Sequence, residues 1–387
     1  SPERPDWQAQ ATALGFHFHT IEGEPYWDER AHYRFTLRQV EDDIEAPTAA
    51  IEAMCMEVVD RVCRDEELLR QLAIPEPFWD FIAQSWFRGE PPLYGRMDFA
   101  YDGHGPAKLY EYNADTPTSL YESAFFQWVW LEQARVFGRV PPDADQYNSI
   151  QESLIAAFEA FDPGSYLHFS SAEGHGEDRG TVAYLEDCAR QAGLATDYVA
   201  LEQIGVDGEG RFSDANDYII EAMFKLYPWE QVFEDTYGQH VPKAGVRWLE
   251  PPWKAILSNK GLLPLLWQMF PDHPNLLPSF FKSDPAAALS GGYVCKPLFS
   301  REGANVEWVE PSGKRYTVDG PYGAEGHIIQ ALHPLPRIAG NYTVIGSWLV
   351  LGKPVGLGIR EDATQVTRDT SRFLPHALPY LLHPVCA

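Results

Sequence analysis

LYGRMDFAYDGHGPAKLYEYNADTPTSLYESAFFQW, residues 93–128, is the stretch of this 387-residue chain whose reading decides the fold. Arg96 and Asp98 alternate with Met97 and Phe99, and Glu111 and Asn113 alternate with Tyr110 and Tyr112, the period of two of a half-buried strand. Asp102-Gly103 and Gly105-Pro106 between the two runs are turn formers, so the segment reads as a hairpin. Centred on that turn, the hairpin places Asp98 opposite Glu111 and Arg96 opposite Asn113, with side chains about 4.5–5.5 Å apart. Facing carboxylates repel unless a cation lies between them. With the carboxamide of Asn113 they form a hard-oxygen set suited to Mg²⁺. Alternation alone fits a solvent-facing polar hairpin as well.

Downstream the chain turns at Thr116-Pro117, where proline suits a first helical position, and Ser119-x-x-Glu122 has the spacing of a capping box. A helix is expected to begin there, and its free N–H groups either hold an anion such as a substrate carboxylate or are simply capped. Thr116, Thr118 and Glu122 are the candidate substrate contacts. Two lysines stand out farther on: Lys260 in PPWKAILSNKGLLPLLW and Lys296 in GYVCKPLFSREGANV. A lysine ending a β run, followed by a loop holding Gly303, places an ammonium near phosphates that the loop amides can cover. Either lysine alone reads equally as a solvated surface residue.

Together, R-x-D (96–98), Y-E-Y-N-A-D (110–115), N-K-x-x-L-P-x-L-W (259–267), V-C-K-P (294–297) and R-E-G-A-N (301–305) resemble the synthetase domain of the glutathionylspermidine synthase family. The resemblance runs from about Phe16 to about Phe373. It implies an ATP-grasp fold of the α/β (α+β) class, with the nucleotide between two sheet-containing lobes of one catalytic module over residues 11–380. It further implies ATP and Mg²⁺ as cofactors, a small-molecule carboxylic acid and an amine as substrates, and an amide formed through an acyl phosphate. By the same match Asp98, Glu111 and Asn113 would ligate the metal, and Arg96 would meet the transferring phosphoryl group. Lys260, Lys296 and Asp98 would face ATP and its metal, and residues 301–305, with Arg301 and Gly303, would cover the phosphates. Gln330, Ala331 and Leu332 would line the adenine, and Arg360 in GLGIRED would face phosphates or substrate. T-P-T-S at 116–119 and Val344 depart from the family pattern, so the acid and the amine are left unnamed. The match is closest to stand-alone relatives without an amidase partner, so hydrolysis of the amide is not expected. A nucleotide-binding regulatory protein without catalysis, or a kinase of a small carboxylic acid, would carry the same phosphate-facing residues.

A net charge of −26 with no Lys/Arg run argues against nucleic acid. Hydrophobic residues at 45% and aromatics at 13% supply ample apolar surface for a multi-lobed core. No run approaches the roughly 18–20 apolar residues of a membrane span, and the opening SPERPDWQAQ lacks a signal-peptide pattern. Cysteines at 55, 63, 188, 295 and 386 include no C-x-x-C, which fits a reducing compartment, and the cytoplasm is the expected location. His17 and His19 lack a third clustered ligand for zinc. Cys295 reads as a small buried side chain on the strand face opposite Lys296. Residues 46–72 have helical apolar spacing, 165–220 reads as strand, helix (Thr181–Ala192) and strand, and the last third is rich in short β runs.

Overall fold

Ile51, Met54, Cys55, Val58, Val59 and Val62 recur at three- and four-residue steps and put one buried stripe on a helix, Ala46–Val62, with Pro47 in its first turn. That stripe lies under an antiparallel sheet and packs into the main core with Met97, Phe99 and Tyr112 of the hairpin. The expected run to residue 72 is broken after Val62, and a second helix, Glu66–Gln71, restarts behind Asp65, whose carboxylate caps the Glu67 and Leu68 amides. The computed structural model describes residues 3–379 apart from 22, 163, 165, 175, 285–288, 290, 302, 366 and 368–370.

The hairpin forms as read. Tyr94–Ala100 pairs antiparallel with Lys108–Asn113, with Arg96 opposite Asn113 and Asp98 opposite Glu111. Beyond Asp98 the register slips by one residue, so Phe99 meets Leu109 and Tyr110 is the extra residue of a bulge. Asn341–Val350 then pairs with the other edge of Tyr94–Ala100, followed by Lys353–Asp362 and Arg372–Leu374, to complete one antiparallel sheet. In this sheet Asp98 has Gly346 across from it. A Cβ at Gly346 would stand 2.7 Å from Arg96 Cδ, so the glycine leaves the groove along which the Arg96 side chain lies.

Two further sheets surround this one. Leu167–Ser171, Thr196–Tyr198, Ala222–Leu226 and Arg247–Leu249 form a parallel sheet. The helix between its first two strands, Gly176–Gln191, begins five residues earlier than expected. Parallel strands need such a crossover, and this one is amphipathic, burying Val182, Leu185, Cys188 and Ala189. The third sheet is antiparallel, in the order Ser279–Phe281, His327–Ala331, Tyr293–Pro297, Glu307–Val309, Arg315–Thr317. Asp115, the last residue of the Y-E-Y-N-A-D run, ties the hairpin to the parallel sheet. It is fully buried and accepts from Lys225 Nζ at 2.9 Å and from the Trp229 amide at 2.8 Å.

Cys55, Cys63, Cys188 and Cys295 are buried free thiols, and Cys386 lies outside the described residues. Among the described residues no helix is long and apolar enough to cross a membrane.

Candidate active site

The polar face of the hairpin looks into a cleft of about 790 Å³ that all three sheets line. Arg96, Asp98, Glu111 and Arg360 reach it from the antiparallel sheet of the hairpin, and Lys296 and Gln330 from the third sheet. Ala172 and Tyr227 reach it from just past the carboxyl ends of two parallel strands. Lys260 enters from the turn after the Lys254–Leu257 helix. Sequence-selected residues separated by up to 264 positions therefore share one cavity, while Asn113 and Glu122 stand behind its walls.

Asp98 and Glu111 are neighbours, and each already has cationic partners. Arg96 donates to both Asp98 oxygens at 2.7 and 3.1 Å, and Arg360 Nη2 donates to Oδ2 at 2.7 Å. Lys260 Nζ stands 3.1 Å from Glu111 Oε2. Burial pushes the Glu111 carboxyl up, but Lys260, Lys296 and Arg360 outweigh it and hold the group below the usual carboxylate range. The repulsion expected between bare carboxylates is thus relieved by side chains. Arg96, Lys260, Lys296 and Arg360 set four positive charges against two negative ones, an excess suited to a polyphosphate.

Asn113 Nδ2 donates to Asp98 Oδ2 and Glu111 Oε1, each at 3.3 Å, so its amide nitrogen, rather than the oxygen a metal would use, faces the two carboxylates. Among the described residues no three His, Cys, Asp or Glu side chains gather into a metal cage. The donor set of two register-paired carboxylates and one carboxamide nonetheless fits Mg²⁺, a hard cation that is commonly held by one or two carboxylates while phosphates complete its shell.

Lys296, nearly buried, donates to Gln330 Oε1 at 2.8 Å and to the Tyr110 carbonyl at 3.1 Å. Burial, aided by the nearby Lys260 charge, lowers its ammonium to about 8 against the pull of Glu111. Ala331 and Leu332 line the cleft beside an apolar slot of Leu277, Val294, Trp308 and Val344. The slot was not read from the sequence, although Val294 and Trp308 are register partners on adjacent strands. Arg301 Nη1 donates to Thr116 Oγ1 at 2.9 Å and Nη2 to Glu230 at 2.7 Å, so the start of the covering loop is fastened across the cleft. Gly303 lines the cleft with φ +72°, and residue 302 of that loop lies outside the described residues.

Close to Arg96 and Arg360 the cleft also carries acidic groups, Glu177 and Asp178. Glu122 is buried and accepts from the Tyr26 hydroxyl at 2.9 Å, while Glu177 lies 3.5 Å from the same hydroxyl. Ser119 does not cap the helix as its spacing suggested. Its φ is +72° and its hydroxyl turns to Glu177 at 3.4 Å, while Glu122 is spent on Tyr26. The main-chain carbonyl of Thr118 accepts from Arg96 Nη1 at 2.9 Å. Glu177, Asp178 and Tyr26 lay outside the sequence selection, since long-range packing brings them there. Burial pushes the Glu122 carboxyl up to about 8, with the charge of Glu177 adding to the effect. A folded-state value above the ordinary 4.5 means that stability is fully present below about 4.5 and is lost as pH rises, levelling off above about 8. The Glu122→Gln variant should therefore gain thermal stability over the parent progressively between pH 5 and 8, by up to about 1.4 kcal/mol per pH unit. Parallel Tm–pH curves would contradict this.

Three sheets around a basic cleft, with strand-borne lysine, arginine and carboxylate groups, define an ATP-grasp-type fold. A glutathione synthetase-like effector from Globodera pallida, solved in apo form, has the same overall fold, with a TM-score of 0.54 at 11% identity over 98% of each chain. The chain belongs to the family described as glutathionylspermidine synthase preATP-grasp, whose model matches residues 1–379. A protein of Haemophilus influenzae provisionally named an acid–amine ligase is 40% identical over 97% of both chains. Trypanothione synthetase of Crithidia fasciculata and the bifunctional glutathionylspermidine synthetase/amidase of Escherichia coli are each 27% identical. The chain spans 52% and 60%, respectively, of the length of those two proteins. It is an enzyme of the carbon–nitrogen-bond-forming ligase class.

Proposed function

We propose that the protein joins a small carboxylic acid to an amine with consumption of ATP, through an acyl phosphate, and that residues 11–380 act as one catalytic unit. The observation that carries this reading is the polarity of the cleft. Its lysines and arginines suit a triphosphate, Glu177 and Asp178 suit an ammonium, and Arg96 reaches both groups through Asp98 and Thr118.

In this reading Asp98, Glu111 and Asn113 hold Mg²⁺, which when bound neutralises phosphate charge. Lys260 and Lys296 grip the phosphates, and Arg301 with the loop to 305 closes over them. The apolar slot with Gln330, Ala331 and Leu332 takes the adenine. Arg96 and Arg360 stand where charge develops as the γ-phosphoryl group passes to the substrate carboxylate, and they serve as pre-oriented donors. Attack of the neutral amine on the acyl carbon then expels phosphate and forms the amide. Thr116, Thr118 and Glu177 surround that event, with Glu177 receiving the amine and its proton, while Glu122, held by Tyr26, stands behind them. Catalysis on this scheme is positioning and charge neutralisation, with no covalent protein intermediate.

The names of the relatives support the acid–amine class. The T-P-T-S segment, which departs from the family pattern, leaves the substrates open. A panel of acids and amines with Mg·ATP, followed for ADP and by mass spectrometry, tests the reading. The expected product has the mass of acid plus amine less water. ADP with a stable acyl phosphate and no amide would assign a kinase instead, and nucleotide binding without turnover on any pair would assign a regulatory protein.

A further inference from the structure

Behind Tyr227 a second cavity of about 220 Å³ opens beside the main cleft. Its walls are mostly apolar, with Leu201, Ile204, Phe212, Met223, Val241 and Trp248 beside the charged Glu202, Lys225 and Asp235. Met223 reaches it from the Ala222–Leu226 strand while Phe224, on the other face, packs in a separate core cluster. The cavity thus lies on one face of the parallel sheet, under residues 229–243. Ala172 and Tyr227 line both this cavity and the main cleft. Each follows the carboxyl end of a parallel strand, the end at which open α/β sheets take their ligands.

A well-packed interior of this composition would close such a space, because lining atoms without partners forfeit dispersion contacts. A cavity of about 150 Å³ already accepts a benzene ring. The charged groups on its walls are already engaged: buried Lys225 is paired with Asp115 at 2.9 Å, Glu202 accepts the Glu173 amide at 3.2 Å, and Asp235 accepts the Tyr237 amide at 2.9 Å. An ionic ligand group would find no free counter-charge in Lys225.

We infer that this cavity is a specificity pocket for a neutral apolar group, aromatic or branched aliphatic, that is carried by one of the two substrates. Assigning the occupant to a substrate rests on the ligase reading, whereas the binding chemistry does not.

The probe is 4-fluoroanisole, followed by ¹⁹F NMR titration on the full chain, with 4-fluorobenzoate and 4-fluorobenzylammonium as charged counterparts. The parent is expected to bind 4-fluoroanisole at least tenfold more tightly than either ion. Ile204→Trp and Val241→Phe, which fill the cavity from opposite walls, should each weaken that binding at least tenfold. Ile204 is only partly buried, so it tolerates the change even if Val241→Phe does not fold. Absence of 4-fluoroanisole binding to the parent, preference for a charged probe, or undiminished binding in a folded filled variant would overturn the inference. Mg·ATP affinity, measured on the same samples, should be unchanged in the variants. Its loss in the parent would count against the ligase reading and leave the pocket result standing.

Discussion

Asp98→Asn is expected to cut ATP turnover by at least about 100-fold, the usual cost of removing one pre-oriented electrostatic contact from a reacting centre. The carboxylate is the node of the site: Arg96 and Arg360 both donate to it, Glu111 faces it, and Asn113 closes on it. An asparagine offers one oxygen where two were used, and turns an amide toward a guanidinium. Two arginines then lose their anchor and the proposed Mg²⁺ site loses a charge. The same substitution should lower Tm in the absence of metal, because it removes a charge-assisted bond worth about 1.5–3 kcal/mol and leaves a cationic cluster less compensated. Mg·ATP should also stabilise the variant less than the parent. Steady-state ADP release and thermal scans with and without Mg·ATP measure both effects. Parental turnover would move the metal and the phosphoryl group elsewhere.

Lys296→Met should weaken Mg·ATP binding at least tenfold in a calorimetric titration. Methionine keeps the apolar stem but removes the ammonium that meets Gln330 and the Tyr110 carbonyl and that the proposed function assigns to the phosphates. Because burial holds this lysine at about 8, affinity in the parent should fall as pH rises from 7 to 9, and that component should vanish in the variant. Thr118→Ala should leave ATP affinity within about twofold. A variant at position 296 that binds Mg·ATP like the parent would exclude this lysine from the nucleotide site.

The hairpin was legible because a period of two and one turn fix which side chains share a face, and the core needs Met97, Phe99 and Tyr112 on the other. The bulge that ejects Tyr110 was not, since a one-residue slip leaves the hydrophobic pattern upstream of it intact. Lys260 and Lys296 were found by motif, but nothing local says that Lys260 would reach Glu111, a contact set by the packing of separate elements. Tyr26 and Glu177 were out of reach for the same reason: they come from 96 and 55 residues away from Glu122 in sequence, and only tertiary packing brings them together. The capping-box signal at Ser119 misled because a tertiary partner, Glu177, outcompeted the local amide for its hydroxyl.

Isotope transfer is the most direct test of an acyl phosphate. For whichever acid and amine yield product, the acid is supplied with both carboxylate oxygens as ¹⁸O, and the released phosphate is weighed. Phosphoryl transfer to the carboxylate followed by amine attack predicts one ¹⁸O in each phosphate and one retained in the amide, at one ADP per amide formed. Amide with unlabelled phosphate would contradict activation of the acid by the γ-phosphoryl group, and with it the central reading of this cleft.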